Sequence, residues 1–307
     1  MKPEPVTPDS IVPDSIVVGI DGSDDADLAL TWAAEQADLT NRPLAVVHVI
    51  DDRPIVTLPR GPVLVPQDVL DAGERAANGL LPRAASQARG GRPDLRVTTH
   101  VRHGDPRRVL LELADHAHLL VLGSRGRGPV RSLLLGSVSA TASRHAACPV
   151  VVTRPGSPED VRHGILVGAD GTPASRPVLE FAFRQASLRG LPLTAMHCFW
   201  DLAAAYGADP EVPLDSADAQ GHRRQLEESV AAIAEKFPDV PVTTRLNRGA
   251  AQDRLTRGRR HWDLVVVGHH SRRGLARFLI GSTAIGVLER AHGTVAVVPE
   301  AEVDLVE

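Results

Sequence analysis

The chain has two cysteines, Cys148 and Cys198, in 307 residues. A disulfide scaffold needs denser cysteine, so both read as small hydrophobes buried in apolar, strand-like runs, and a reducing cytoplasm is the expected location. Aromatic residues make up 3% of the chain. A core must then come from Val, Leu, Ile and Ala, which suits parallel strands buried on both faces. Lysine occurs at Lys2 and Lys236, and the remaining basic side chains are arginine. No apolar run approaches the roughly 18 residues of a membrane span. The first residues, Met1 to Ser15, are rich in Pro, Asp and Ser and lack the apolar stretch of a signal peptide. Net charge is −4, with no block of like sign. A nucleic-acid partner would call for a basic patch, so neither nucleic acid nor membrane is expected as a partner.

The sequence does contain a repeat. Ser15-Ile-Val-Val-Gly-Ile-Asp21-Gly-Ser23 reappears as Gly164-Ile-Leu-Val-Gly-Ala-Asp170-Gly-Thr172, and His48-Val49 as His197-Cys198. Leu119 to Gly123 reappears as Leu264 to Gly268, and Gly136-Ser137 as Gly281-Ser282. The length fits two ordinary domains. The expected division is a disordered tail over 1–14, one domain over 15–154, a Pro- and Gly-rich linker over 155–163, a second domain over 164–299 and a tail over 300–307.

Each half alternates strand and helix. In the first, Ile16–Ile20, Leu44–Ile50, Val97–Val101, Leu119–Leu122 and Pro149–Thr153 are short apolar runs that read as strands. Asp24 to Leu39, with Ser23 or Asp24 as cap, reads as a helix, as do Asp68 to Arg89, Asp105 to His116 and Ser137 to Ala146. Asp51 to Gln67 holds several prolines and reads as a long loop. The second half repeats the plan, with strands near 165–169, 193–199, 242–246, 264–267 and 294–298. Alternation of this kind implies a parallel, doubly wound α/β sheet in each half, with ligands at the carboxyl ends of the strands.

The segment that carries chemistry runs from Gly123 through Ser124, Arg125, Gly126 and Gly128 to Gly136, Ser137, Val138 and Ser139. It follows a buried strand and opens a helix. Gly123 and Gly126 can let backbone approach a ligand closely. The helix start at Gly136-Ser137 offers free N–H groups and the positive end of the helix dipole to an anion. Ser137 and Ser139 add hydroxyls, and Arg125, Arg127 and Arg131 add charge. The same residues also fit a plain flexible turn. Asp21, at the end of the first strand, either faces this crevice or serves as a turn former before Gly22.

Two other phosphate motifs fail. A Walker A loop needs Gly-Lys-Ser/Thr, and neither lysine lies near a glycine loop. A dinucleotide fingerprint should follow the first strand, which instead ends in Ile20-Asp21-Gly22-Ser23. The 13 histidines include His116, His118, His269 and His270, none with the spacing of a zinc site.

The ordered pattern Gly-x2-Gly-x9-Gly-Ser, from Gly123 through Gly126 to Gly136-Ser137, resembles the ATP-binding signature of the universal stress protein family. Val17 to Ser23, His48-Val49, His103-Gly-Asp-Pro106 and Ala147-Cys-Pro-Val150 share the resemblance, which covers both halves. It implies in each half a five-stranded parallel sheet of order 3-2-1-4-5 with helices on both faces. It implies ATP as ligand, with Mg²⁺ arriving alongside. Asp21 and Val49 would lie near the adenine; Gly123 and Gly126 would border the phosphates and ribose. Gly136, Ser137, Val138 and Ser139 would take the phosphates and ribose, and Arg125 matches an often basic or polar loop position. It also implies pairing of the two halves, or a homodimer, through last strands near Val150–Thr153 and Val295–Val298.

The second copy keeps Asp170, Gly268, Gly281, Ser282 and a hydroxyl at Thr283. It puts Ser271 in place of Gly126, Arg273 in place of Gly128 and Ala284 in place of Ser139. A Cβ at position 271 blocks close approach, so the second site is expected to bind ATP more weakly than the first or not at all. Three functions fit: a nucleotide-dependent stress-response regulator, a slow ATPase in which Asp21 holds water or Mg²⁺, and an interaction scaffold with vestigial sites.

Overall fold

The computed structural model describes residues 11–53, 56–58, 61–63, 66–126, 135–155, 163–201, 219–257, 262–269 and 282–301. The chain divides into two compact units, Met1–Thr153 and Arg154–Glu307. The first runs β1 (Ile16–Gly19), α1 (Asp24–Leu39), β2 (Leu44–Ile50), β3 (Val56–Leu58), β4 (Gly61–Val63), α2 (Gln67–Arg89), β5 (Val97–His103), α3 (Pro106–Ala114), β6 (Leu119–Gly123), α4 (Ser137–His145) and β7 (Val150–Thr153). The second runs β8 (Ile165–Gly168), a 3-10 turn (Pro173–Ser175), α5 (Arg176–Arg189), β9 (Leu193–Phe199), α6 (Gln220–Ala234), β10 (Val242–Arg248), α7 (Ala251–Leu255), β11 (Leu264–His269), α8 (Ser282–Arg290) and β12 (Val295–Pro299).

The strand order in the first unit is β5-β2-β1-β6-β7, all parallel, with Ile16 level with Leu44 on one side and Leu119 on the other. In the second it is β10-β9-β8-β11-β12, again parallel. Counted along the chain, both are the order 3-2-1-4-5. The chain winds outward from β1 to β5 and then crosses to β6, so the order reverses between β1 and β6. In the second unit it reverses between β8 and β11. Crevices open at such points, at the carboxyl ends of the strands.

The apolar runs explain the core. Ile16, Val17, Val18, Leu44, Val46 and Val47 are fully buried, as helix-covered parallel strands require. Helix α1 starts at Ser23, whose hydroxyl accepts from Ala26 N at 3.3 Å, and it has Asp24, Asp25 and Asp27 in its first turn, where carboxylates suit the dipole. Ala26, Ala29, Leu30, Ala33 and Ala37 recur at helical spacing and are buried, so a small-residue face lies on the sheet. Helix α3 has Asp105 as cap, accepting from Arg107 N at 3.0 Å, and Pro106 in its first turn.

Two sequence expectations are corrected. The stretch 51–67 is not all loop, because β3 and β4 pair antiparallel within it. Val56, Thr57 and Val63 are β-branched, and Pro62 is tolerated in a ribbon that consists of edges alone. The tail over 1–14 is too long as drawn. Asp14 N donates to His116 O at 2.8 Å, and the Asp14 carboxylate pairs with Arg42 and His118. Residues 1–10 lie outside the described residues, as do 156–162 of the linker and 302–307 of the second tail.

Candidate functional site

The first crevice is built at the end of β1. Gly22 takes φ +76°, which lets the chain turn sharply there. Asp21 Oδ1 accepts from Ser23 N at 3.0 Å and from Ser23 Oγ at 2.6 Å. Asp21 is therefore the turn former that its sequence context allows. It also faces the crevice, because a Cβ placed on Gly126 would overlap its Oδ2. Both readings hold at once, and a side chain at position 126 would require the Asp21 carboxylate to shift.

Gly123, at the end of β6, has a different neighbour. A Cβ there would come within 2.7 Å of the Asp25 carbonyl carbon and 2.8 Å of its oxygen. The first turn of α1 passes so close that a side chain has no room. Asp25 itself is 8% exposed. Its Oδ2 accepts from Ser124 Oγ at 2.7 Å and Arg125 N at 3.0 Å, and lies 3.5 Å from Arg125 Nε. Asp25 thus ties the start of the loop to α1, and sequence reasoning missed it. With Asp24 and Asp27 beside it, it looks like one more acid suited to a helix start.

Helix α4 closes the loop from the other side. Gly136 N donates to Ser124 O at 2.8 Å, and a Cβ on Gly136 would lie 3.3 Å from that same oxygen. Ser139 Oγ donates to Gly123 O at 2.6 Å, and Ser139 is buried. Its hydroxyl therefore holds the loop. No side chain caps the first turn of α4. The N–H groups of Ser137 and Val138 lie at that uncapped end, and the Ser137 side chain is exposed. Val49 sits near the end of β2, level with Arg102 of β5 and half-buried. Beside it His48 Nδ1 lies 2.8 Å from Ile20 O. Arg125 is exposed. The structure thus brings Asp21, Gly123, Arg125, Gly126, Gly136, Ser137 and Ser139 to one place. Arg127, Gly128 and Arg131 lie outside the described residues.

The second crevice shares the frame and differs in its filling. Asp170 Oδ1 accepts from Thr172 N at 2.9 Å and Thr172 Oγ1 at 2.7 Å, as Asp21 does from Ser23. Burial pushes the Asp170 carboxyl up, but these hydrogen bonds outweigh it and hold the group below the usual carboxylate range. His197 Nε2 lies 3.2 Å from His222 Nδ1 of α6, and His222 stacks on Phe199 with ring centroids 4.4 Å apart. Burial, then the neighbouring His222, lowers the His197 pKa. A Cβ on Gly268 would meet the Glu300 carboxyl, with Cδ at 2.8 Å. Glu300 is pushed up to about 7, by burial first and by Asp170 second. Thr283 is half-buried in α8, and Ala284 beside it is buried. Gly281, His270 and Ser271 lie outside the described residues, and of Ser282 the backbone alone is described. Among the described residues no group of three or more His, Cys, Asp or Glu could hold a metal. No helix among them is long and apolar enough to cross a membrane.

A family model described as the universal stress protein family matches residues 13–154 and again 162–299. A universal stress protein of Mycolicibacterium smegmatis is 34% identical over 294 residues, covering 94% of this chain and 98% of the relative. A universal stress protein of Mycobacterium tuberculosis is 36% identical over 290 residues, covering 92% and 96%. The crystal structure of a universal stress protein from Archaeoglobus fulgidus superposes with a TM-score of 0.67 at 17% identity, covering 94% of this chain and 97% of that one. At that identity it speaks for the fold.

Proposed function

The chain belongs to the universal stress protein family, in a tandem two-domain form, and on that premise we propose that it is a nucleotide-dependent stress-response regulator whose first crevice binds ATP. One observation carries the reading: the uncapped start of α4 is fastened against a glycine loop at the switch point. Gly136 N and Ser139 Oγ fix that helix to Ser124 O and Gly123 O. Its N–H groups and dipole then present a preformed anion site, and exposed Arg125 adds a cation beside it. Asp21 and Val49, at the ends of β1 and β2, border the other end of the crevice, where the base and ribose would lie. A regulator needs no more than this, since ligand binding that favours one conformation shifts the population of states. Mg²⁺ would arrive on the phosphates.

Calorimetric titration of the full chain with Mg-ATP tests this. Wild type should bind, and Gly126→Asp should abolish the first site, because the new side chain must displace Asp21. Equal heats for wild type and Gly126→Asp would refute the assignment of the site.

A further inference from the structure

The start of α6 places a second imidazole against the end of β9. His197 is 8% exposed, and its Nε2 lies 3.2 Å from Nδ1 of His222. Its other ring nitrogen hydrogen-bonds to the Ala169 backbone, just as His48 Nδ1 lies 2.8 Å from Ile20 O in the first domain. With that N–H given to a carbonyl, the lone pair of His197 sits on Nε2 and faces His222. Phe199 stacks on His222 with ring centroids 4.4 Å apart and planes at 18°, which holds the second ring in place. His222 is exposed, so the pair is open to solvent on one side. In the first domain, the register that matches Val97 to Val242 puts Ala77 where His222 stands. A methyl group there offers His48 no partner ligand.

Two imidazole nitrogens bound at roughly 2.0–2.1 Å to one tetrahedral zinc ion lie about 3.3 Å apart, and their ring centres about 5.2 Å apart. The His197 and His222 ring centroids are 5.0 Å apart, with the planes at 34°. A straight hydrogen bond at the observed nitrogen separation would set the centres about 5.5 Å apart. The ring axes are thus bent off the line between the nitrogens, as sharing one ion requires. The hydrogen bond between the rings uses a proton on His222 Nδ1. Moving that proton to Nε2 of the same ring frees a second lone pair beside the first. A carbonyl accepting from the far nitrogen, as Ala169 does, is the usual support of a metal-bound histidine.

We propose that His197 Nε2 and His222 Nδ1 are the two protein ligands of a site for a late first-row divalent ion such as Zn²⁺ or Ni²⁺, with water completing the coordination. Imidazole suits these ions, whereas Mg²⁺ prefers oxygen donors. Asp170, at the end of β8, acts electrostatically on His197 and adds negative charge near the site. Two ligands make a weaker site than the three or four of a zinc centre, and among the described residues no third His, Cys, Asp or Glu joins them. An ion bound there fastens the first turn of α6 to the end of β9, beside the second crevice. The site needs no nucleotide.

The test is a titration of the full chain, free of nucleotide, with Zn²⁺ and with Ni²⁺, read by calorimetry and by the thermal transition of the second domain. Wild type should bind one ion that His222→Ala binds about tenfold more weakly or not at all, the least that losing a group at a metal site costs. His222→Gln is the deciding variant. Its amide can still donate to His197 Nε2, so it keeps the hydrogen bond but offers no imidazole. His222 is exposed, so both variants should fold, and both should lose the ion. At an ion concentration about a hundredfold above the dissociation constant, the wild-type transition should rise by roughly 5–10 °C, and those of the variants should not. Mg²⁺ should neither bind there nor raise the transition. Equal binding by wild type and His222→Gln would overturn the proposal and move the ion to other side chains. No binding of either ion would also overturn it, leaving the pair as a hydrogen bond alone.

Discussion

Replacing Asp25 by Ala should loosen the first loop more than any exposed acid in the same turn would. The substitution removes the acceptor for Ser124 Oγ and for Arg125 N. Ser124 is 2% exposed, so its hydroxyl cannot turn to water. A buried donor left unmade costs about 1–3 kcal/mol, and a bond to a charged acceptor is itself worth roughly 1.5–3 kcal/mol. The two figures overlap, because both count the same lost bonds, so the expected loss is about 2–4 kcal/mol rather than their sum. Asp24 is exposed in the same helix turn, and losing it should cost about 0.3–1 kcal/mol of dipole interaction. Differential scanning calorimetry of the full chain can separate the two. For a domain of this size, the Asp25→Ala penalty corresponds to a fall of roughly 5–15 °C in the first domain's transition. Asp25→Asn keeps an oxygen acceptor and should recover most of that loss. Mg-ATP affinity should follow the same ranking if the loop holds the phosphates. Equal transitions for Asp24→Ala and Asp25→Ala would refute the anchor argument.

Other consequences follow from single contacts. Ser139→Ala removes the bond to Gly123 O and should cost about 1 kcal/mol, read by urea denaturation; no change would show that the hydroxyl is free to serve a ligand. Cys148 is buried, as expected, whereas Cys198 is only half-buried, and desolvation pushes both thiols up to about 12, so a thiol reagent at neutral pH should label Cys148 slowly in the folded chain and fast in the unfolded one; rapid labelling of Cys148 in the folded chain would contradict this. Glu300 has a folded pKa above its unfolded value, so its folded carboxyl holds the proton more tightly. The second domain should then lose stability as pH rises from the ordinary glutamate range through about 7. Thermal scans across that window should show the decline in wild type and a flatter profile in Glu300→Gln, and parallel profiles would count against it.

Much of the fold was legible because its signals are local. The apolar runs at Ile16, Leu44 and Leu119 are bounded by turn residues, and the match of Asp21 to Asp170 announced the repeat. The hairpin β3–β4 was hidden because prolines around it suggest irregular chain, whereas a two-stranded ribbon tolerates Pro62. The glycine loop was legible as a pattern, but the reason for each glycine was not. Gly123 yields to the α1 backbone and Gly126 to a carboxylate, and those neighbours are 98 and 105 positions away in the chain. Asp25 and Glu300 escaped for the same reason. Nothing near either one in sequence says that it will sit behind a strand end. Ser139 fits the phosphate motif, yet in the fold its hydroxyl goes to Gly123 O.

The central claim is that the first crevice holds an adenine nucleotide. Native mass spectrometry of the full chain, purified without added ligand and then with Mg-ATP, addresses it most directly. The account predicts an adduct of ATP mass on wild type that is lost in Gly126→Asp. A chain that carries no adenine nucleotide in either condition, or an adduct that survives Gly126→Asp undiminished, would contradict it.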